Sequence, residues 1–334
     1  MYYGFNFQWL FAWAPGREPA PPDERALDFL AALGFNFVRI PTDYRFWTKD
    51  WKYLEPDEAL FTHIDGYLDA CRARGLHMSL NLHRAPGYCI NANHLERHNL
   101  WLDAIAQDAF VYIWENFAHR YKGVPAQQLS FDLVNEPPDI GQYGMTRENH
   151  AAIIRRTVSA IRAVDPAREV VIDGLNGGNL AMPELANLGI LHSGRGYLPM
   201  PVSHYRASWW SGHAGLPEPV YPGTPWMGRS WDRDVLREFY QSWRDVEAQR
   251  TPIHIGEMGC FNQTPNDVAL RWLADLLSLF GEFGWGYALW EFAGPFGIVE
   301  HGRAGARYES VQSYQVDRDL LDLLLENRVK TLLP

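Results

Sequence analysis

The run SFDLVNEPPD, Ser130 to Asp139, passes from a strand-like apolar segment directly into Asn135-Glu136-Pro137-Pro138. A buried strand gains nothing from a carboxylate at its end, because a charge taken out of water without partners is costly. The segment therefore predicts a strand that stops where an acid is wanted. The chain around it alternates short β-type runs with longer helical ones, eight pairs in all. The spacing predicts strands at 3–9, 36–40, 77–83, 129–135, 169–174, 201–205, 253–257 and 286–291. It predicts helices near 23–33, 64–74, 100–121, 147–164, 182–187, 234–249, 266–281 and 317–327.

Two helices show their buried face plainly. Phe110, Trp114, Phe117 and Tyr121 form one stripe, and Leu273, Leu276, Leu277 and Phe280 another. Thr264-Pro265 reads as an N-cap and first-turn pair, and Gly34, Gly75 and Gly123 as helix ends. Strict alternation with near-continuously apolar strands means a parallel sheet covered by helices, and eight repeats favour closure. The expected fold class is α/β, a (β/α)8 TIM barrel forming a single domain over 1–334. A long insertion follows strand six, with irregular stretches at 188–200 and 206–233. An open doubly wound sheet fits less well, since no Gly-x-Gly-x-x-Gly follows the first strand.

Composition narrows the function. With 334 residues and 47% hydrophobic content, one large core is affordable. A net charge of −10 argues against a nucleic-acid partner, which needs Lys and Arg against phosphates. Cys71, Cys89 and Cys260 are odd in number without a C-x-x-C spacing, so free thiols are expected. No run of eighteen apolar residues predicts a membrane span. The opening MYYGFNFQWLFAW lacks the marks of a signal peptide, which reads as a cytoplasmic protein or a secreted one with its signal removed. Nothing in the sequence sets the oligomeric state.

In such a barrel the active site gathers at the C-terminal strand ends. There stand Arg39 (FVRIP), His83 (LNLH), Asn135 and Glu136, His204 and Tyr205, Glu257 (IHIGEMG), and Trp290 with Glu291. Two glutamates on strands four and seven suit glycoside cleavage, one protonating the leaving oxygen while the other attacks the anomeric carbon. Retention needs them about 5–5.5 Å apart. Arg39 and Tyr205 are expected to keep Glu257 ionised, while like charge and partial burial keep Glu136 protonated. Asn135 is expected to bond the sugar 2-hydroxyl. A plain structural pairing of Glu136 with a nearby Arg is the competing reading.

These motifs resemble glycoside hydrolase family 5, the cellulase-type family, over nearly the whole chain: FVRIP, LNLHRAPG, LSFDLVNEP, the SHY stretch, IHIGEMG and GWGYALWEFAGPFGI stand in family order. The resemblance implies Glu136 as acid/base and Glu257 as nucleophile, with Arg39, His83, Asn135, Tyr205 and Trp290 completing the site and no cofactor or metal. The family has His-x-Tyr at the end of strand six, whereas His204 and Tyr205 are adjacent here. Either Tyr205 keeps its role with Ser203 in place of the histidine, or His204 keeps its role with Arg206 in place of the tyrosine; both side chains are carried over.

Fourteen Trp is a high count, and several lie in Pro/Gly-rich loops, as flat apolar ligands such as sugars require. Trp209, Trp210, Trp226 and Trp231 are expected to stack on sugar. Trp9, Trp13, Trp47 and Trp51 are placed on the same cleft, while Trp114, Trp243 and Trp272 fall on helical stripes and read as core. His94 and His98 read as a solvated loop, and Cys260 as packing. The expected activity is a retaining β-glycoside hydrolase acting on β-linked glucan, mannan or related oligosaccharides, endo or exo. The alternatives are an exo-acting β-mannosidase or β-glucosidase, a carbohydrate-binding barrel without turnover, and a metal-dependent hydrolase using His83, His204 and His254.

Overall fold

The computed structural model describes residues 1–12 and 17–328. Its eight parallel strands are β1 (Tyr3–Asn6), β2 (Phe37–Asp43), β3 (His77–Arg84), β4 (Leu129–Asp132), β5 (Glu169–Asp173), β6 (Leu191–Gly196), β7 (Ile253–Met258) and β8 (Gly286–Leu289). They close into a barrel in the order β1-β8-β7-β6-β5-β4-β3-β2. The helices are α1 (Glu24–Ala32), α2 (Phe61–Arg72), α3 (Ala104–Arg120), α4 (Arg147–Val164), α5 (Arg233–Phe239), α6 (Gln241–Glu247), α7 (Asn266–Phe283) and α8 (Arg318–Glu326). A 3-10 turn, Pro183–Leu188, stands where the fifth helix was expected.

The chain packs as two compact units. In the unit of Phe7–Gly194 and Val246–Pro252, β2 and β3 pair in parallel from Phe37↔His77 to Asp43↔Arg84, with an irregularity between Thr42 and Asp43. The α3 stripe of Phe110, Trp114, Phe117 and Tyr121 is buried, as its spacing predicts. Trp114 packs 5.2 Å from Phe131, and its indole N–H donates to the Leu133 carbonyl, so the large ring enters the core without stranding its donor. Arg168 is buried too, and its guanidinium donates to the carbonyls of Leu129, Tyr121 and Val124 and to Asp165. Gly34, Gly75 and Gly123 all have positive φ after their helices, the conformation that favours glycine there.

In the unit of Met1–Asn6, Arg195–Asp245 and Ile253–Pro334, β1 pairs with β8 (Tyr3↔Tyr287) and β8 with β7 (Tyr287↔Ile255). Asn6 Nδ2 donates to the Gly256 and Leu289 carbonyls, tying the three strands together. A side chain at Gly286 would run into the Tyr2 backbone, which explains glycine at the start of β8.

Three local expectations are corrected. The sixth strand is Leu191–Gly196, and Pro201–Tyr205 instead enters a single helical turn, Met200–Ser203. LHSGRG carries few apolar side chains, so its periodicity is mute; the barrel wall buries all six residues regardless. Thr264 does not cap α7: its hydroxyl donates to the Val202 carbonyl, and Pro265 takes the cap position without a side-chain bond. The expected helix over 234–249 is split into α5 and α6. The insertion after β6 runs over 197–232 and contains an antiparallel hairpin, Thr224–Trp226 with Arg229–Trp231. Its turn places Met227 and Gly228 at positive φ, the geometry that matches strand twist. A second hairpin, Tyr308–Val311 with Tyr314–Asp317, precedes α8.

Candidate active site

On the unit that holds β2 to β5, the predicted side chains form one network. Arg39 reaches up from β2 and is 1% exposed. Its Nε donates to Asp132 Oδ2 at 2.6 Å and its Nη2 to Asn135 Oδ1 at 3.0 Å, with Asp173 Oδ2 at 3.7 Å. A guanidinium so deep is tolerable only when carboxylates compensate it, and Asp132 and Asp173 do so. Having its Oδ1 engaged orients the Asn135 amide, whose Nδ2 lies 3.5 Å from His83 Nε2. His83 is buried, with Phe11 edge-on at 4.4 Å.

Glu136 comes next in the chain and is only half-buried. Its backbone is left-handed, φ 46°, which is uncommon for a residue with a side chain. Its N–H donates to Asp173 Oδ2 at 2.9 Å, and its carbonyl accepts from the Tyr88 hydroxyl at 2.6 Å. Burial pushes the Tyr88 phenol well above its ordinary pKa, so it stays a donor.

On the other unit, Glu257 lies in β7 and is 3% exposed. Arg195 Nη2, from β6, is 3.3 Å from Glu257 Oε1, and the Tyr197 hydroxyl donates to Oε2 at 3.1 Å. Both oxygens of the acid thus face a neighbouring polar side chain. Tyr197 makes the bond that was expected of Tyr205, and Arg195 stands two residues before it. Arg195 and Tyr197 thus stand two residues apart at the end of the sixth strand, both directed at Glu257. Tyr205 is buried under the Arg206 guanidinium, which sits 4.9 Å from its ring centroid. Arg39 thus faces Asp132, Asn135 and Asp173, whereas Glu257 faces Arg195 and Tyr197.

His204 sits in an aromatic cluster with Tyr197. Its ring is 5.2 Å from Tyr197 and from Phe296, and 6.4 Å from Trp209 and Trp210. Burial pulls its pKa below the usual histidine value, so the imidazole is neutral at pH 7. Trp209 packs edge-on against Phe261 at 4.8 Å yet leaves 60% of its surface in water. Trp290 follows β8, and its N–H donates to the Met258 carbonyl at 2.7 Å.

The remaining tryptophans divide. Trp231 is buried against Trp226 within the hairpin, 5.6 Å apart, a packing role rather than a sugar platform. Trp47 is fully buried between Phe61 and Phe117, and Trp9 packs on Phe7 and Tyr67. Trp51 is 41% exposed with Arg97 across its ring, and it lines a hollow of about 400 Å³ with Tyr53, Leu54 and Ile105. Trp13 lies outside the described residues. Trp114, Trp243 and Trp272 are buried, as their helical spacing predicts. Cys71, Cys89 and Cys260 are free and buried, and burial raises the pKa of all three thiols. His98 bonds to the Tyr53 hydroxyl, and among the described residues no three His, Cys, Asp or Glu side chains are grouped to hold a metal.

Sequence reading missed Asp132, Asp173, Tyr88, Arg195 and Tyr197. Asp173 had a usable signal, since it closes the apolar run EVVID as Glu136 and Glu257 close theirs. Arg195 and Tyr197 had none, because their strand was hidden by its polar composition.

The chain resembles known proteins along nearly its whole length. Residues 3–294 match the Cellulase (glycosyl hydrolase family 5) family model. The chain is 26% identical to Endoglucanase C of Acetivibrio thermocellus over 295 residues, covering 80% of this chain and 83% of that protein. It is 24% identical to Cellodextrinase A of Ruminococcus flavefaciens, over 78% of this chain and 75% of that one. A crystal structure described as a glycoside hydrolase superposes with a TM-score of 0.97 at 66% identity, covering 98% of this chain and 99% of that chain. No helix among the described residues is long and apolar enough to cross a membrane. With its closed parallel barrel and a family match over residues 3–294, the chain belongs to glycosyl hydrolase family 5 and is an enzyme that hydrolyses O-glycosyl bonds.

Proposed function

We propose that this enzyme is a retaining β-glycosidase that uses Glu257 as nucleophile and Glu136 as acid/base on β-1,4-linked glucan or its oligosaccharides. The observation that carries this reading is the environment of Glu257, a buried acid whose two oxygens face Arg195 and Tyr197. Such a setting aims a carboxylate oxygen in one direction, as attack requires. Glu136, half-buried on a constrained backbone, suits a group that must take up and release a proton.

In the first step Glu257 attacks the anomeric carbon and forms a glycosyl ester, while Glu136 gives its proton to the departing oxygen. In the second, Glu136 takes a proton from water, whose oxygen displaces Glu257 and regenerates both acids. Asn135, oriented by Arg39, bonds the 2-hydroxyl as positive charge develops on the ring. Trp290, His204, Trp209 and Trp210 offer aromatic and polar contacts to flanking sugars. The β-1,4-glucan preference rests on likeness to an endoglucanase and a cellodextrinase.

The test is hydrolysis of aryl β-cellobiosides, β-mannosides and β-xylosides by wild type, Glu136→Gln and Glu257→Ala. General acid catalysis contributes about 10²–10⁴-fold, so Glu136→Gln should lose on that order and Glu257→Ala at least as much. Azide should restore turnover to the Glu257→Ala variant. Variants that stay within about tenfold of wild type would refute the assignment.

A further inference from the structure

We infer that Tyr88 and Asp173 are positioning residues for Glu136, gripping its peptide from both sides so that the carboxyl is presented to the glycosidic oxygen. The inference rests on the acid/base role given to Glu136 above. The turn that follows β4 is sewn onto the end of β5 and the loop after it by four backbone groups. The Glu136 N–H goes to Asp173, the Pro137 carbonyl accepts from Gly177 N at 2.9 Å, and the Pro138 carbonyl accepts from Asn176 N at 3.2 Å. Ile140 N donates to Asn176 Oδ1 at 3.3 Å. From the opposite side Tyr88 donates to the Glu136 carbonyl at 2.6 Å.

This grip answers a local need. Glu136 has φ 46°, a region that persists in an L residue only when its surroundings impose it. Rotation of that peptide would swing the carboxyl, and proton delivery tolerates only about 0.5 Å and 10–20° of error.

Tyr88 itself is rigidly placed. It is 1% exposed, with Trp101 edge-on at 5.1 Å. Gly87 before it has φ 80°, and a side chain there would strike Leu100 N at 2.6 Å. The loop is anchored by Glu96, which accepts from Arg84 at 2.6 Å, from Tyr44 at 2.8 Å and from Gly87 N at 3.2 Å. A fully buried ion pair thus fixes the loop that fixes the acid.

The experiment compares kcat/KM for 2,4-dinitrophenyl and phenyl β-cellobioside, which reports the bond-breaking step. The first leaving group departs without protonation; the second needs it. Glu136→Ala should lose far more on the phenyl substrate. Tyr88→Phe, which removes one oxygen, should lose about tenfold or more on the phenyl substrate and less than about threefold on the dinitrophenyl one. Asp173→Asn, which keeps an acceptor oxygen, should show the same split in smaller measure. Equal losses on both substrates, or no loss, in Tyr88→Phe and Asp173→Asn while Glu136→Ala keeps its split overturns the inference and leaves the role of Glu136 standing. Absence of a split in Glu136→Ala overturns that role, and the inference with it.

Discussion

Arg39 and Glu257 share one difficulty, an ionisable group almost wholly out of water, and each meets it with partners on other strands of the barrel. Removing a partner should cost more than the pair contributes, because the remaining charge stays buried. Asp132→Ala should therefore destabilise the enzyme by about 3 kcal/mol, read from the urea midpoint. Tyr197→Phe should leave stability nearly unchanged and reduce kcat by roughly tenfold or more, since a hydrogen bond to a charged group contributes about 1.5–3 kcal/mol. A kcat within twofold of wild type would show that Tyr197 does not assist Glu257. The two acids proposed for catalysis, Glu136 and Glu257, were singled out from strand-end position alone. Which groups serve them was not legible, because Arg195 and Tyr197 reach Glu257 across about sixty residues of chain.

Among the elements, α8 depends on a device the sequence reading passed over. Asp317 caps the helix by accepting from Leu320 N at 3.1 Å, and its other oxygen is bonded to His301 Nε2 at 2.9 Å. Burial pushes its pKa up, but the bonds from His301 and Leu320 and the charges of His301 and Arg303 outweigh this and leave it below the ordinary value. A depressed carboxyl stabilises the fold above its unfolded pKa, near 3.9, and that stability is lost as pH falls through the folded value. Asp317→Asn should lower Tm at pH 7, and the gap to wild type should narrow below about pH 4. A gap that does not vary with pH would rule out the charge as its source. Elements with strong periodicity, α3 and α7 above all, were legible within a few residues. The polar strand β6 was not, because its burial comes from its neighbours rather than from its own side chains.

For the molecule as a whole, acid is the stress to which burial exposes it. His77, His150 and His192 are buried, and burial lowers their pKa values to about 4, 3 and 4. Unfolding returns each to about 6.5, so the unfolded chain binds more protons between those limits. Stability should hold above about pH 6.5 and fall steadily as pH drops toward 4. His150 isolates the effect: among the described residues neither of its nitrogens has a hydrogen-bond partner, and its ring lies 5.5 Å from Trp101. His150→Leu should change Tm little at pH 7 and flatten its decline between pH 6.5 and 4; an unchanged slope would place the acid sensitivity elsewhere.

Local order in the chain was enough to determine the alternation of strands and helices, the closed parallel barrel, and the placement of Glu136 just beyond the fourth strand and Glu257 at the end of the seventh, since hydrophobic period and strand-end polarity act over a few residues. Only the tertiary structure decided that Arg195 and Tyr197 attend Glu257, that Tyr88 and Asp173 grip Glu136, and that LHSGRG is a barrel strand. Those outcomes depend on which distant segments share a buried space, where the cost of an unpaired polar group selects the partner.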